Sequence, residues 1–498
     1  MSSPTSSLDG PLSPRYRVVT AGLLALVTLV AFEALAVSTA MPVVARELGG
    51  VRSYGLAFSL FLTMQLLGTV LAGGWSDRRG PQGPLICGLV LFVAGLLVCG
   101  LAMNFPVLLL GRVVSGAGGG FLGVALYVVV ARAYPDALHP RVFGWISAAW
   151  VLPSVIGPPV AGWLADQVTW RAVFLGVPPF AVLALAVLLP RLAHLEGTPT
   201  EAPTLAAGER RRRVLFGLAL ASGATLVQWG AQEAATGRPA ALFGLAAGVV
   251  LLVVSLPRLL PPGTLALRRG LPSVIAVRGL FTASFFAAET FVPLMLVQER
   301  GLRPLVAGLA LTSGAVGWAT GSWVQSRPRQ PWSRSALLVA GALVVAVATA
   351  ALPLAVLPQV PPYIVAPLWL VAGFGMGLAM TTTSVLALEL SPASEQGRNS
   401  ASLQISDSLG GVLGIGLAGA VFAALHQPSG DDGPVFVGIW LGLAVVAALA
   451  ALVGRRTATV PVVPAEPALQ LADGSAQAPS EADAACADAE RAGVHRTA

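Results

Sequence analysis

Apolar residues in this chain occur in long runs that are separated by short polar segments. A helix needs about 20 apolar residues to cross the hydrocarbon core of a bilayer, and most of the runs reach that length. We therefore predict an all-α integral membrane protein with about fourteen spanning helices. Their predicted limits are residues 18–41, 54–75, 84–103, 106–131, 142–165, 171–190, 214–232, 239–257, 273–297, 304–325, 335–357, 363–388, 400–424 and 434–454.

The composition excludes a soluble globular protein and a disordered one. Of the 498 residues, 55% are hydrophobic and 11% are charged, and the mean hydropathy is +0.79. The first apolar run is too long for a cleaved signal peptide. All 30 basic residues are arginine, which we attribute to a bacterium with a GC-rich genome and not to nucleic-acid binding.

The arginines between the predicted spans are unevenly distributed. With the N-terminus in the cytoplasm, twenty arginines fall in cytoplasmic segments and six fall in outer loops. This distribution follows the positive-inside rule. We therefore predict a multi-pass protein of the cytoplasmic membrane with both termini in the cytoplasm.

The spans divide into two halves that share an internal repeat. The ordered glycines of Gly116–Gly120 recur in Gly373–Gly377, and a looser match pairs Gly73–Asp77 with Gly321–Gln325. The predicted organisation is a disordered N-terminus (1–14), an N-terminal six-helix bundle (15–192), a cytoplasmic linker (193–213), two extra central spans (214–257), a C-terminal six-helix bundle (258–456) and a disordered, acidic, Ala/Pro-rich cytoplasmic tail (457–498).

A charged segment lies between the second and third predicted spans. Gly73, Asp77, Arg78 and Gly80 form the pattern G-x-x-x-D-R-x-G there, in what we expect to be a tight loop. Glycine permits sharp turns and close helix contacts, and the charged pair can bond to a neighbouring helix. The pattern resembles the signature loop of the major facilitator superfamily of secondary transporters. The resemblance implies two pseudo-symmetric six-helix halves around a substrate cavity, with this loop gating the conformational change.

Three prolines occur within the fifth predicted span and predict a kink in it. Pro153, Gly157, Pro158 and Gly162 belong to a segment that resembles the antiporter motif of drug exporters, although Pro153 stands where an upstream glycine is expected. The resemblance implies that this bend separates the two access states of the transporter. A kink without influence on the direction of transport is the alternative.

Four charged residues inside predicted spans are candidates for proton coupling: Glu33, Arg112, Glu289 and Asp407. Glu33 opens a segment that resembles the first-span signature of the fourteen-span drug:proton antiporters, and Arg112 belongs to one that resembles the superfamily's fourth-helix motif. We expect the desolvated Glu33 carboxyl group to carry one proton per cycle, and Arg112 to face a carboxylate and so to govern proton release. The alternatives are a purely structural role for each carboxyl group, and an Arg112 side chain that extends to the lipid headgroups.

The substrate cavity should be largely apolar with a few polar groups. We expect Arg278, near the predicted cytoplasmic end of the ninth span, to extend outward to the lipid headgroups. The candidate cavity residues are Gln65, Tyr127, Trp150, Phe286 and Trp369.

The sequence has no phosphate-binding loop, no catalytic triad and no metal-ligand spacing. We therefore expect a transporter and not an enzyme, with no ATP, metal or cofactor and with the proton gradient as its energy source. The predicted function is proton-coupled multidrug efflux of small hydrophobic or cationic molecules by a monomer in contact with membrane lipids. The alternatives are export of an endogenous lipid or metabolite, and a non-transporting membrane sensor or scaffold.

Overall fold

Helices form the regular structure throughout the described part of the chain, which confirms the predicted all-α class. The computed structural model describes residues 10–135, 138–192, 207–235, 238, 240–327, 331–392, 395–428 and 430–457, and these ranges contain no strand. The α-helices are α1 (Arg17–Glu47), α2 (Leu56–Arg79), α3 (Gln82–Gly100), α4 (Phe105–Ala133), α5 (His139–Gln167), α6 (Arg171–Leu175), α7 (Val177–Leu192), α8 (Ala207–Ala235), α9 (Ala241–Leu259), α10 (Leu271–Gln298), α11 (Pro304–Gln325), α12 (Arg334–Ala351), α13 (Val365–Glu389), α14 (Gln396–Leu425) and α15 (Gly433–Gly454).

Thirteen segments of the described residues are long and apolar enough to cross a membrane. The short helix α6 and the helix α7 together form one of them, at Arg171–Pro190. The remaining helix, α11, is 22 residues long but carries several glycine, serine and threonine residues, which lower its hydropathy. It packs between α5 and α13 like a further span. The chain is therefore a multi-pass membrane protein.

The structure describes parts of the predicted N-terminus and of the predicted linker, but almost none of the predicted tail. Residues 10–14 form a turn, in which the Pro11 carbonyl oxygen accepts a hydrogen bond of 2.6 Å from Thr20 Oγ1. The helix α8 begins at Ala207, inside the segment predicted as a linker. The predicted tail (457–498) lies outside the described residues except for Thr457.

The start of α4 shows how the sequence sets a helix boundary in this protein. Asn104 has extended backbone angles, and its side chain accepts a hydrogen bond of 3.0 Å from the backbone N–H of Val107. Pro106 occupies the first turn, where a missing N–H costs no helical hydrogen bond. The boundary fixes the register of α4 and therefore the depth of Arg112, eight residues into the helix.

The glycines of the internal repeat serve the same purpose in both halves. Gly116 of α4 lies so close to the Phe61 carbonyl oxygen of α2 that any Cβ would overlap it, and Gly373 of α13 lies in the same way against the Gly314 carbonyl oxygen of α11. Glycine at such crossings allows backbones to approach closely. The repeat predicted from these glycines therefore corresponds to an equivalent helix crossing in each half.

The looser match between the second span and α11 is wrong. The carbonyl oxygen of Ala117 in α4 lies against Gly68 in α2, and the equivalent Phe374 oxygen in α13 lies against Gly321 in α11. The structural counterpart of Gly321 is therefore Gly68 and not Gly73. A Gly-rich sequence offers several chance pairings, and only the helix contacts select the right one.

The two additional central helices, α8 and α9, form a hairpin beside the two halves. The side-chain amide of Gln228 on α8 donates a hydrogen bond of 3.2 Å to Thr63 on α2, and that of Gln232 donates one of 2.8 Å to Ser53. On its other side, the Gln228 side chain packs against Gly416 of α14. The helix α8 therefore contacts α2 of the first half and α14 of the second half.

Candidate functional site

A buried ion pair joins α1 to α4 in the first half. Glu33 is fully buried and Arg112 is 2% exposed, and Arg112 Nη1 donates a hydrogen bond to Glu33 Oε1. Arg112 Nε also donates a hydrogen bond of 2.9 Å to the carbonyl oxygen of Ala57, and the guanidinium carbon lies 4.2 Å from the centre of the Phe61 ring. Arg112 is therefore held inside the bundle and does not extend to the headgroups. A buried charge of this kind depends on its partner, because desolvation of an unpaired ion is costly.

One oxygen of the Glu33 carboxylate is free to bind a proton. Oε2 is buried and has no hydrogen-bond partner among the described residues, whereas Oε1 accepts from Arg112. Protonation of the carboxylate removes the charge that holds the guanidinium, so the strength of the pair depends on the protonation state of Glu33. This arrangement can convert the gain or loss of one proton into a change in the contact between α1 and α4.

A second ion pair lies in the other half, and it corrects the expectation for Arg278. Arg278 is 5% exposed and does not extend outward, because its Nε donates a hydrogen bond of 2.7 Å to Asp407 Oδ1. Its Nη1 donates further hydrogen bonds to the Met380 carbonyl oxygen at 2.9 Å and to Thr383 Oγ1 at 2.8 Å. Thr282 Oγ1 donates a hydrogen bond of 2.9 Å to the same carboxylate oxygen. The pair joins α10, α13 and α14.

The two ion pairs are not copies of each other in the internal repeat. The repeat counterpart of Arg112 is Trp369, whose ring is buried and stacks on Phe285 at 4.9 Å. Arg112 and Arg278 are each the eighth residue of their helix, about 10 Å along the axis from its start. Because α4 and α10 begin at opposite ends of the bundle, the pairs lie at different depths.

Glu289, the remaining candidate for proton coupling, lies on α10 and is partly buried. It makes no ion pair or hydrogen bond with the rest of the described residues. An unpaired carboxyl group in a membrane span is expensive and is commonly functional. Within the described residues, no group of three or more His, Cys, Asp or Glu side chains could hold a metal ion.

Only two of the five candidate cavity residues come together. Phe286 and Trp369 each contact Phe285, with ring centres 5.6 and 4.9 Å apart. Tyr127 is 57% exposed and stacks on a phenylalanine of α5 instead, and Trp150 is 43% exposed. Gln65 lies beside Gly119 of α4. Within the described residues, none of the last three has a ring contact with the aromatic group around Phe285.

The predicted gating loop is helical for most of its length. The helix α2 continues to Arg79, so Gly73, Asp77 and Arg78 lie in its last turns and only Gly80 follows it, with φ at 82°. The expectation of a loop at these residues is therefore wrong, because the Gly-rich segment remains helical until a residue that can adopt positive φ. Gly73 faces open space, and Arg78 is exposed, with its Nε donating a hydrogen bond of 2.9 Å to the Gly74 carbonyl oxygen. The Asp77 side chain lies outside the described part of the chain.

The antiporter-like segment of α5 forms a contact between the halves. Pro153, Gly157 and Pro158 lie inside a single helix, and the Pro158 carbonyl oxygen packs against Gly308 of α11. Gly162 of α5 packs against the backbone of Leu305 at the start of α11. Arg303 Nε then donates a hydrogen bond of 2.7 Å to Asp166 Oδ2.

We call such a contact between the halves a seam. A second seam joins α2 to α14 at the same end of the bundle, where α1 connects to α2. Gly55 lies against the backbone of Gly419, and Arg52 Nε donates a hydrogen bond of 2.9 Å to the Ala423 carbonyl oxygen. Both seams between the halves are therefore in contact at what we call the α1–α2 end.

The chain matches a family model described as Major Facilitator Superfamily over residues 23–415. It is 26% identical over 428 residues to the multidrug transporter protein MdtP of Bacillus subtilis, covering 84% of this chain and 77% of that protein. It is 22% identical over 436 residues to the multidrug efflux pump SdrM of Staphylococcus aureus, covering 85% of this chain and 93% of that protein.

Solved structures share the fold at low sequence identity. A crystal structure of a POT family transporter in complex with a thioalcohol-conjugated peptide gives a TM-score of 0.64 at 16% identity, covering 87% of this chain and 94% of that one. The crystal structure of the human organic anion transporter MFSD10 gives a TM-score of 0.57 at 17% identity, covering 89% of this chain and 99% of that one.

Proposed function

Because this chain belongs to the Major Facilitator Superfamily and is a multi-pass membrane transporter, we propose that it exports hydrophobic or cationic compounds in exchange for protons. The observation that carries this proposal is the buried pair of Glu33 and Arg112, in which one carboxylate oxygen is held and the other is free. Relatives with 22% and 26% identity are named as multidrug transporters, which supports the substrate class.

The proposed cycle couples protonation of Glu33 to alternating access. A proton and a substrate favour opposite members of one conformational equilibrium, so that uptake of one drives release of the other. In the deprotonated state the carboxylate holds Arg112 and thereby ties α1 to α4. Protonation releases this contact and favours the state that lets the substrate leave.

The orientation given by the positive-inside rule assigns the α1–α2 end to the outer face. Both seams between the halves are in contact at that end, whereas Gly73, on the opposite side, faces open space. On this orientation we propose that the structure corresponds to the state open to the cytoplasm, with both termini in the cytoplasm. We propose the cytoplasmic membrane of a bacterium as its location.

The second-half carboxylates have a separate proposed role. Asp407 is 13% exposed and bonded to Arg278, so it can change partners when a cation arrives. Glu289 has no partner among the described residues and can offer its charge directly to a cationic substrate. Both are proposed to act in proton coupling together with Glu33 and Arg112.

The remaining expectations belong to the same proposal. The transporter works as a monomer among membrane lipids, is driven by the proton gradient, and uses neither ATP nor a bound cofactor. Export of an endogenous lipid or metabolite is the second candidate, because the largely apolar cavity expected from the sequence is as suited to an apolar lipid as to a drug.

The test is efflux of a lipophilic cationic dye from proteoliposomes, with and without an imposed pH gradient. We expect gradient-dependent efflux by the wild type and its loss in Glu33→Gln, while Glu395→Gln, at a 41% exposed carboxylate, stays at the wild-type rate. Dye-driven proton movement that persists in Glu33→Gln contradicts the coupling role. A wild type that moves a fluorescent lipid but no dye supports lipid export instead.

A further inference from the structure

A groove of about 570 Å³ lies on the second half, between α14 and α15 and over α10. Residues 256–267, at the end of α9 and in the connection to α10, line the rest of it. Leu417, Val421 and Leu449 on its walls are 43–50% exposed, so the groove opens away from the helix bundle. In a membrane protein such a surface faces the lipid hydrocarbon.

The lining offers hydrocarbon and no free polar side chain. All lining residues are apolar or glycine except Thr264 and Ser406. Their hydroxyl groups are used within the protein, because Thr264 donates to the Pro261 carbonyl oxygen at 2.8 Å and Ser406 donates to that of Ile275 at 2.6 Å. An apolar cleft that stays empty loses dispersion contacts along its whole wall. The occupant that fits this lining is therefore an alkyl chain.

Arginines surround the end of the groove that is formed by the α9–α10 connection. Arg456 Nη1 donates a hydrogen bond of 3.2 Å to the carbonyl oxygen of the lining residue Leu267, and the side chain of the neighbouring Arg268 packs against Gly263. The exposed arginines at this end are Arg268, Arg269, Arg455 and Arg456. None of them has an acidic partner among the described residues.

We propose that this groove binds an acyl chain of an anionic membrane phospholipid, whose phosphate group lies against these arginines. Basic clusters beside an apolar cleft attract anionic headgroups, and the closely spaced positive charges are left without compensation in the protein itself. The proposal uses only the groove and the charges, so it does not depend on proton-coupled export.

A bound lipid would act on the second ion pair through the helix crossing that forms the groove wall. Gly279 and Ser406 line the groove and contact each other. Gly279 directly follows Arg278, and Ser406 directly precedes Asp407, the two members of the second ion pair. Filling the groove supports the crossing of α10 and α14 from outside. The lipid should therefore stabilise the protein in addition to binding to it.

The experiment compares phosphatidylglycerol and phosphatidylcholine with identical acyl chains, each added to the full-length protein and counted by native mass spectrometry. We expect the wild type to retain phosphatidylglycerol at least tenfold better. In Gly442→Phe the ring fills the groove, because no atom lies within 4 Å of a Cβ built at residue 442, and retention of both lipids should fall. Val445→Phe, at a 68% exposed position of the same helix outside the groove, is the matched control and should bind like the wild type.

The double variant Arg268→Gln/Arg269→Gln tests the headgroup separately. It should lose the preference for phosphatidylglycerol but keep the ability to bind an acyl chain, whereas Arg17→Gln/Arg327→Gln, at exposed arginines elsewhere, should keep both. Circular dichroism and size-exclusion chromatography check that each variant is folded. Equal retention of the two lipids by the wild type, or unchanged retention by folded Gly442→Phe, overturns the proposal.

Discussion

Gly308 on α11 lies directly against the carbonyl oxygen of Pro158 on α5, so that a Cβ at residue 308 would be 2.5 Å from that oxygen. In the equivalent contact, Gly55, the residue before α2, lies against the carbonyl oxygen of Ile415 on α14, where the corresponding distance is 3.3 Å. Each contact joins one six-helix half to the other at the α1–α2 end. Loosening either seam should therefore favour a state in which this end is open.

Gly308→Leu should shift the protein toward that open state. Overpacking a tight contact costs about 1–3 kcal/mol, which corresponds to a roughly 5–150-fold change in a two-state equilibrium. The measurement is the distance distribution between spin labels at residues 168 and 309, in a background without native cysteines. Gly144→Leu on α5, where a Cβ meets no atom within 4 Å, is the control. An unchanged distribution in Gly308→Leu contradicts a gating role for this contact.

Arg112→Met should lower the thermal stability of the protein, because it leaves the Glu33 carboxylate buried without a partner. Removing one member of a buried ion pair typically costs about 3–5 kcal/mol, whereas replacing both members is often nearly neutral. The double variant Arg112→Met/Glu33→Gln should therefore recover much of the loss. The melting temperature in detergent measures both effects.

The control for this cycle is the exposed pair of Arg334 and Glu389, whose side chains are 44% and 46% exposed. Arg334→Met should cost less than about 1 kcal/mol, because surface ion pairs contribute little. If the double variant at residues 33 and 112 is no more stable than Arg112→Met, the pair does not act as a unit.

The sequence marks both members of the first ion pair as candidate residues, but it does not predict that they pair, and it does not predict the second pair. Glu33 and Arg112 are both isolated charges in apolar spans, and the structure brings them together although 79 positions separate them. The position of Arg278 near a predicted span end favours the headgroups and gives no sign of its partner. The signal that could have placed it was the need of an intramembrane arginine for a carboxylate, for which Asp407 was available.

Other features depend on contacts that a sequence pattern does not encode. Trp369 and Phe286 meet through Phe285, whose own role had no sequence signal. The helical form of residues 73–79 was missed because charges and glycines usually indicate a loop. The fold class was predictable because the length and apolar character of the runs leave only membrane helices as a solution.

The second ion pair should respond unequally to loss of its two members. Arg278→Gln should lower the melting temperature more than Asp407→Asn, because Arg278 donates hydrogen bonds to α13 and α14 at once. In Asp407→Asn the arginine keeps its acceptors on α13, and the amide oxygen can still accept a hydrogen bond from Thr282. Arg303→Gln, at a 61% exposed arginine in another ion pair, is the control. Equal destabilisation by the two variants contradicts this account.

Stability should fall with rising pH because of Glu299, which follows α10 at the α1–α2 end. Partial burial is the largest cause, and together with Asp432 and Asp431, which face it from the α14–α15 connection, it raises the pKa of this carboxyl group from 4.5 to about 7. The folded state therefore holds a proton that the unfolded state releases near pH 4.5. The resulting stabilisation is complete below that pH and is lost as the pH rises through about 7. We expect the melting temperature of the wild type to decline between pH 5 and about 7.5, and Glu299→Gln, which cannot ionise, to give a flatter curve. Curves that stay parallel across this range contradict the assignment.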